Sequence, residues 1–86
     1  VKKQKKVKSS DNSALDLHGC TVVEAKEKVL DALNEALLKD VDQLRIIHGL
    51  GSGKVKDAVH ALLGANRHVK NFRLEMANPG VTVVYL

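Results

Sequence analysis

Aromatic side chains are nearly absent from this 86-residue chain, which has Phe72 and Tyr85 and no tryptophan. Its core must therefore be built from Leu, Val, Ile and Ala, and recognition of single strands by stacking bases on exposed rings, as RRM and OB modules do, is disfavoured. A single cysteine, Cys20, rules out an internal disulfide and a cysteine-built structural zinc site. It points to a reducing, cytoplasmic setting. No apolar run approaches the roughly 18 residues of a membrane span, and no signal-peptide pattern is seen, so no membrane partner is expected. The length bounds the chain to one small domain. Because it opens on Val1, we expect it to be covalently part of a larger multidomain protein.

An excess of positive charge is present, but its location limits its meaning. The chain carries +4 overall. Lys2, Lys3, Lys5, Lys6 and Lys8 against Asp11 put all of that excess in the leading segment, whereas the rest holds nine basic and nine acidic residues. Residues 1–14 are expected to form a disordered lysine-rich linker, since they have little apolar surface to offset the entropy of ordering. Residues 15–86 are expected to form the folded domain. A basic tail attracts polyanions without sequence preference and is equally a solubilising linker, so the isoelectric point does not carry a functional case.

Within the folded part, Leu15-Asp16-Leu17-His18 alternates apolar and polar residues as a half-buried strand does, and Gly19 ends it. Thr21 and Glu24 form a capping box at the start of a helix reaching about Lys39, with Val22, Ala25, Val29, Leu33, Ala36 and Leu37 on one face. Leu44 to His48 reads as a second strand. The glycine turn Gly49-Leu50-Gly51-Ser52-Gly53 follows, then a helix over roughly 54–64 with Val55, Ala58, Val59, Leu62 and Leu63 buried. Val69 to Met76 reads as a third strand, Asn78-Pro79-Gly80 as a turn, and Val81 to Leu86 as a fourth strand, apolar enough to lie inside the sheet. The fold class is α+β: a two-layer β-α-β-α-β-β sandwich with a four-stranded mixed sheet and both helices on one face. The uncovered face should be the more polar one. If Leu15 and Leu17 face the helices, Asp16 and His18 face away from them.

The first two strands both end in His-Gly, at His18-Gly19 and His48-Gly49. In a parallel β-α-β unit these carboxyl ends share one edge of the sheet, where ligands of open α/β sheets bind. Histidine exchanges protons near neutral pH, and Asp16 could orient or stabilise an imidazole beside it. Gly49, Gly51 and Gly53 allow close approach of a ligand, the helix that follows offers free N–H groups, and Ser52, Lys54 and Lys56 lie alongside. A phosphate suits such a turn. The P-loop pattern fails, with His48 and Val55 where Gly and Ser or Thr are needed, and the dinucleotide fingerprint fails at Lys54. A polynucleotide phosphate fits better than a small-molecule nucleotide cofactor.

Leu15-Asp16-Leu17-His18-Gly19, then Ile47-His48-Gly49-Leu50-Gly51-Ser52-Gly53, then Gly80-Val81-Thr82-Val83-Val84 resemble, in order and spacing, the Smr (small MutS-related) domain. The resemblance covers residues 15–86. It implies a fold like the C-terminal domain of a translation initiation factor, with the last strand inside the sheet. It also implies nicking endonuclease activity or binding on branched DNA or on structured or ribosome-associated RNA. Asp16, His18 and His48 are the catalytic candidates it marks, with Gly49 and Gly51 in the second motif. This chain departs from the family in having Asn78-Pro79-Gly80 where members often carry more glycine.

The expected functional residues follow. Asp16, His18 and His48 are taken as catalytic. Gly49, Gly51, Ser52, Gly53, Lys54, Lys56, Arg45 and Arg73 are taken as nucleic-acid contacts, with DNA or RNA as partner. One of His18 and His48 would be the general base, and the other, or Arg45, would serve the leaving group. RNA supplies its own nucleophile, whereas nicking DNA would call for a divalent metal such as Mg or Mn, for which Asp16 is a thin site. The alternatives are a non-catalytic nucleic-acid-binding or protein-interaction module of a larger MutS-like ATPase. His60, on the outer side of the second helix, and His68 are expected to be solvated, and Cys20 to be an apolar filler.

Overall fold

A computed structural model describes residues 14–86; the expected linker, residues 1–14, lies outside the described residues except for Ala14, which opens the first strand. The elements are β1 (Ala14–Asp16), α1 (Val22–Leu38), β2 (Gln43–Ile47), α2 (Lys54–Ala65), β3 (Asn71–Glu75) and β4 (Asn78–Tyr85). The sheet runs in the order β1-β2-β4-β3, with β1 parallel to β2 and β4 antiparallel to both of its neighbours. The apolar last strand lies inside the sheet, as its composition requires.

Thr21 starts α1 by accepting the Glu24 N–H on its hydroxyl at 3.1 Å while the Glu24 carboxylate accepts the Thr21 N–H at 2.9 Å. The buried face of α1 is Ala25, Val29, Leu33 and Ala36, and that of α2 is Val59 and Leu63. They close on Leu17, Leu44, Ile46 and Val84 in one core, with Leu15, Cys20, Val55, Leu62 and Phe72 packed at its margin. Leu37, expected on the buried face, is exposed, because Ala36 takes the buried position and the helix ends at Leu38.

The uncovered face is the more polar one, as expected, with Arg45, Arg73 and Glu75 on it, but it also carries a buried apolar strip. Val81 and Val83 lie on it and are nonetheless buried. Val83 stands opposite Arg45 on one side and Arg73 on the other, so long arginine stems flank it. The Arg45 guanidinium forks onto Glu75 through Nε at 3.1 Å and Nη2 at 3.2 Å, and Arg73 lies 5.8 Å from the Tyr85 ring centroid. The apolar strip is thus roofed by paired cations.

The hairpin turn also sits elsewhere than expected. Met76 and Ala77 make it, and Asn78-Pro79-Gly80 already belongs to β4, with Asn78 opposite Glu75. Proline is tolerated at the start of a strand, where its missing N–H breaks no ladder bond.

Candidate nucleic-acid interface

The parallel register of β1 on β2 builds the site. Asp16 stands opposite Ile47, and the Leu17 N–H donates to the Ile47 carbonyl at 2.9 Å. The two His-Gly pairs therefore leave the sheet side by side. Gly19 and Gly49 both adopt positive φ, +78° and +81°, which a glycine enters without steric cost. The Gly80 carbonyl accepts the N–H of both His48 and Gly49, at 3.0 and 2.9 Å, and fastens the glycine turn to the start of β4. The approach is close at Gly80: a Cβ there would meet the Asn78 Oδ1 at a tight 3.3 Å and the Gly49 Cα at 3.4 Å.

Beyond Gly49 the chain forms a shallow depression of about 70 Å³ lined by His48, Gly49, Gly51, Ser52, Gly53, Lys54, Val55 and Lys56. Gly53 caps α2 with φ +87° and has no side chain to offer, and the Ser52 hydroxyl accepts the Lys54 N–H only at a long 3.4 Å. Among the described residues, the N–H groups of Leu50, Gly51, Ser52 and Gly53 meet no backbone acceptor. Lys54 is exposed, and Lys56 is half-buried with only a long 3.9 Å approach to Asp57. Donors and positive charge therefore converge on one small concavity.

The catalytic candidates occupy different situations. Asp16 is exposed, and its Oδ1 accepts the His18 N–H at 2.9 Å, so it shapes the turn that carries His18. His18 is exposed, and no described residue hydrogen-bonds its ring. His48 is the opposite case. Its Nδ1 lies 2.9 Å from the Gly49 carbonyl and its Nε2 lies 2.8 Å from the Thr82 hydroxyl, so both ring nitrogens are engaged. Arg45 is committed to Glu75, and Arg73 reaches the Tyr85 hydroxyl at 3.3 Å. Both arginines lie on the open face.

His60 is not solvated as expected. Its Nε2 lies 2.7 Å from the same Thr82 hydroxyl, and its ring packs edge-on against Phe72 at 5.0 Å and His48 at 6.0 Å. Burial, then the neighbouring His48 and Lys56, hold its pKa below the usual imidazole range, against a smaller opposite pull from Asp57. The signal was available: His60 follows Lys56 by four residues and precedes Leu63 by three, and both spacings share a helix face. His68 is exposed, with its N–H donating to Asn66. Among the described residues no group of three or more His, Cys, Asp or Glu side chains gathers to hold a metal ion, so the edge does not fit a protein-built divalent site.

These features define a class: a two-layer α+β domain whose shallow recess and paired His-Gly turns share one sheet edge. A model of the Smr domain family matches residues 15–86. The chain is 42% identical over 81 residues to an endonuclease MutS2 of Streptococcus thermophilus, covering 93% of this chain and 10% of that protein. It is 40% identical over 81 residues to an endonuclease MutS2 of Exiguobacterium sibiricum, again about a tenth of that protein's length. The crystal structure of the Smr domain of Thermus thermophilus MutS2 superposes with a TM-score of 0.84 at 36% identity, over 87% of this chain and 98% of that one. YdaL, a stand-alone small MutS-related protein from Escherichia coli, shares the fold at a TM-score of 0.81 and 24% identity, over 86% of this chain and 63% of that one. The chain belongs to the Smr domain family.

Proposed function

We propose that this domain binds a nucleic-acid backbone at the carboxyl edge of β1 and β2 and nicks it there. One observation carries the reading. The recess from His48 to Lys56 presents backbone donors, a glycine-capped helix start and two lysines on the same edge as the unpartnered His18 ring. The MutS2 relatives are named endonucleases, which favours cleavage over binding alone. A phosphate sits against the turn, with Gly49, Gly51, Ser52 and Gly53 supplying close backbone approach and Lys54 and Lys56 supplying charge. His18 serves as general base, because its ring is open while that of His48 is doubly engaged. Asp16 fixes the His18 turn and lends negative charge beside an imidazolium. RNA is the simpler substrate chemically: His18 would deprotonate the 2′-hydroxyl, whose oxygen bonds the adjacent phosphorus as the bond to the 5′-oxygen breaks. The 5′-oxygen takes a proton from water or the imidazolium, and a 2′,3′-cyclic phosphate remains. Arg45 and Arg73 act as a second contact row only by exchanging their present partners for phosphate.

A second reading, a non-catalytic binding module of a larger MutS-like ATPase, draws on the engagement of His48, which leaves one open histidine at the edge. Incubating the domain with plasmid and with structured RNA, with and without manganese, separates the two. Cleavage that His18→Ala abolishes without weakening binding supports the nuclease. Binding without any cutting leaves the module, and no binding at low salt removes both.

A further inference from the structure

We propose that Thr82 and His60 are positioning residues for the glycine turn: together they fix His48 in the tautomer that clamps the Gly49 carbonyl. This rests on the reading that the turn seats a phosphate. The order of the bonds is set at Gly49. Its carbonyl oxygen can only accept, so the His48 Nδ1 2.9 Å away must carry the proton. In the neutral ring, Nε2 is then an acceptor. The hydroxyl 2.8 Å from it must donate, and that hydroxyl is Thr82, which is wholly buried. Thr82 has one proton, so its remaining contact, 2.7 Å to His60 Nε2, is one it accepts. The chain of bonds runs from His60 Nε2–H to the Thr82 oxygen, from the Thr82 hydroxyl to His48 Nε2, and from His48 Nδ1–H to the Gly49 carbonyl. One direction satisfies every atom.

Protonating His48 would break this order. His48 Nε2 would then donate to Thr82, which could place its own proton only on His60 Nε2, so His60 would have to change tautomer as well. The groups facing His60 are Lys56 and Asp57 from α2, His48 from the end of β2, Phe72 from β3 and Thr82 from β4. On balance burial, His48 and Lys56 outweigh Asp57 and favour a neutral His60. The consequence reaches the ligand. The peptide after Gly49 is planar and trans, so a carbonyl held toward His48 turns the Leu50 N–H to the opposite side. That donor is then held in place before a phosphate arrives, and no reorganisation is needed on binding.

Imidazole nitrogen spectra of the full chain test this directly. The wild type should show His48 as the Nδ1–H tautomer and His60 as the Nε2–H tautomer. Thr82→Val should mix the His48 tautomers and weaken binding of a short RNA hairpin about tenfold, the effect of losing one well-placed donor. Thr82→Ser should restore both. Backbone amide spectra of each variant report whether the fold is intact. A wild-type His48 in the Nε2–H form, or a tautomer unchanged in Thr82→Val, would overturn the proposal. So would full hairpin affinity in a folded Thr82→Val whose tautomers have mixed. Failure of the wild type to bind hairpin or branched DNA, with the tautomers as stated, would instead overturn the phosphate reading and leave the hydrogen-bond order standing.

Discussion

At the scale of single residues, the sheet edge separates two histidines that the sequence presents as twins. His18 and His48 each precede a glycine at a strand end, yet one ring is open and the other is tied at both nitrogens. Asp16 follows the same logic, since its carboxylate holds a backbone N–H. Asp16→Asn keeps that acceptor and removes the charge, so stability should change by well under about 1 kcal/mol, whereas Asp16→Ala should cost about 1 kcal/mol. Denaturant midpoints of the two variants check this. His60 gives a pH prediction. Its folded pKa is depressed, so the unfolded chain binds more protons in the acid range, and stability falls as pH drops through the unfolded value near 6.5. Replacing His60 by Gln should flatten that part of the stability curve between about pH 7 and pH 5. That Asp16 and His18 lie together at the end of β1 was legible, because alternation and glycine endings are local; that the Asp16 carboxylate holds the His18 backbone N–H and not its ring was not. The burial of Thr82 between two rings was not, since it joins β2, α2 and β4 across the core.

At the scale of elements, local signals held where the chain's own bonds decide the outcome. The capping box of α1 depends on residues three apart and forms as read. Thr21→Ala should cost about 0.5–2 kcal/mol. Thermal melts should then shift down by about 4–8 °C for each 1 kcal/mol in a domain of this size. The last hairpin shows the limit. Asn78-Pro79-Gly80 has the composition of a turn, but Gly80 is drawn into β4 by two N–H groups from the glycine turn. Tertiary bonds outweighed turn propensity. The same fastening makes Gly49 a demanding position. With φ at +81°, Gly49→Ala should lose about 1–2 kcal/mol through the left-handed backbone alone, and nucleic-acid affinity should fall with it.

For the whole molecule, the layer arrangement followed from hydrophobic period and the handedness of crossovers, and the burial of Leu17, Leu44, Ile46 and Val84 against two helices matches that reasoning. The open face was harder to read. Its valines hide beneath arginines whose partners come from strands distant in sequence. Charge must also be apportioned at this scale. The excess of four lies in the leading segment, with the remainder balanced, so tail and edge should contribute differently to binding. Replacing Lys2, Lys3, Lys5, Lys6 and Lys8 by Gln should lower the salt dependence of binding by about 0.9 for each phosphate those lysines neutralise, while leaving the effects of substitutions at the edge unchanged.

In the proposed function, binding and cleavage alike depend on a nucleic-acid phosphate seating at the edge formed by His18 and the His48–Lys56 turn. A titration of the labelled chain with a short RNA hairpin, following backbone amides, tests that seating residue by residue. Shifts should concentrate at Leu50 through Lys56 and at His18 and Gly19, with α1 unmoved. Shifts confined to the Arg45, Arg73 and Tyr85 face, or to α1, would contradict it.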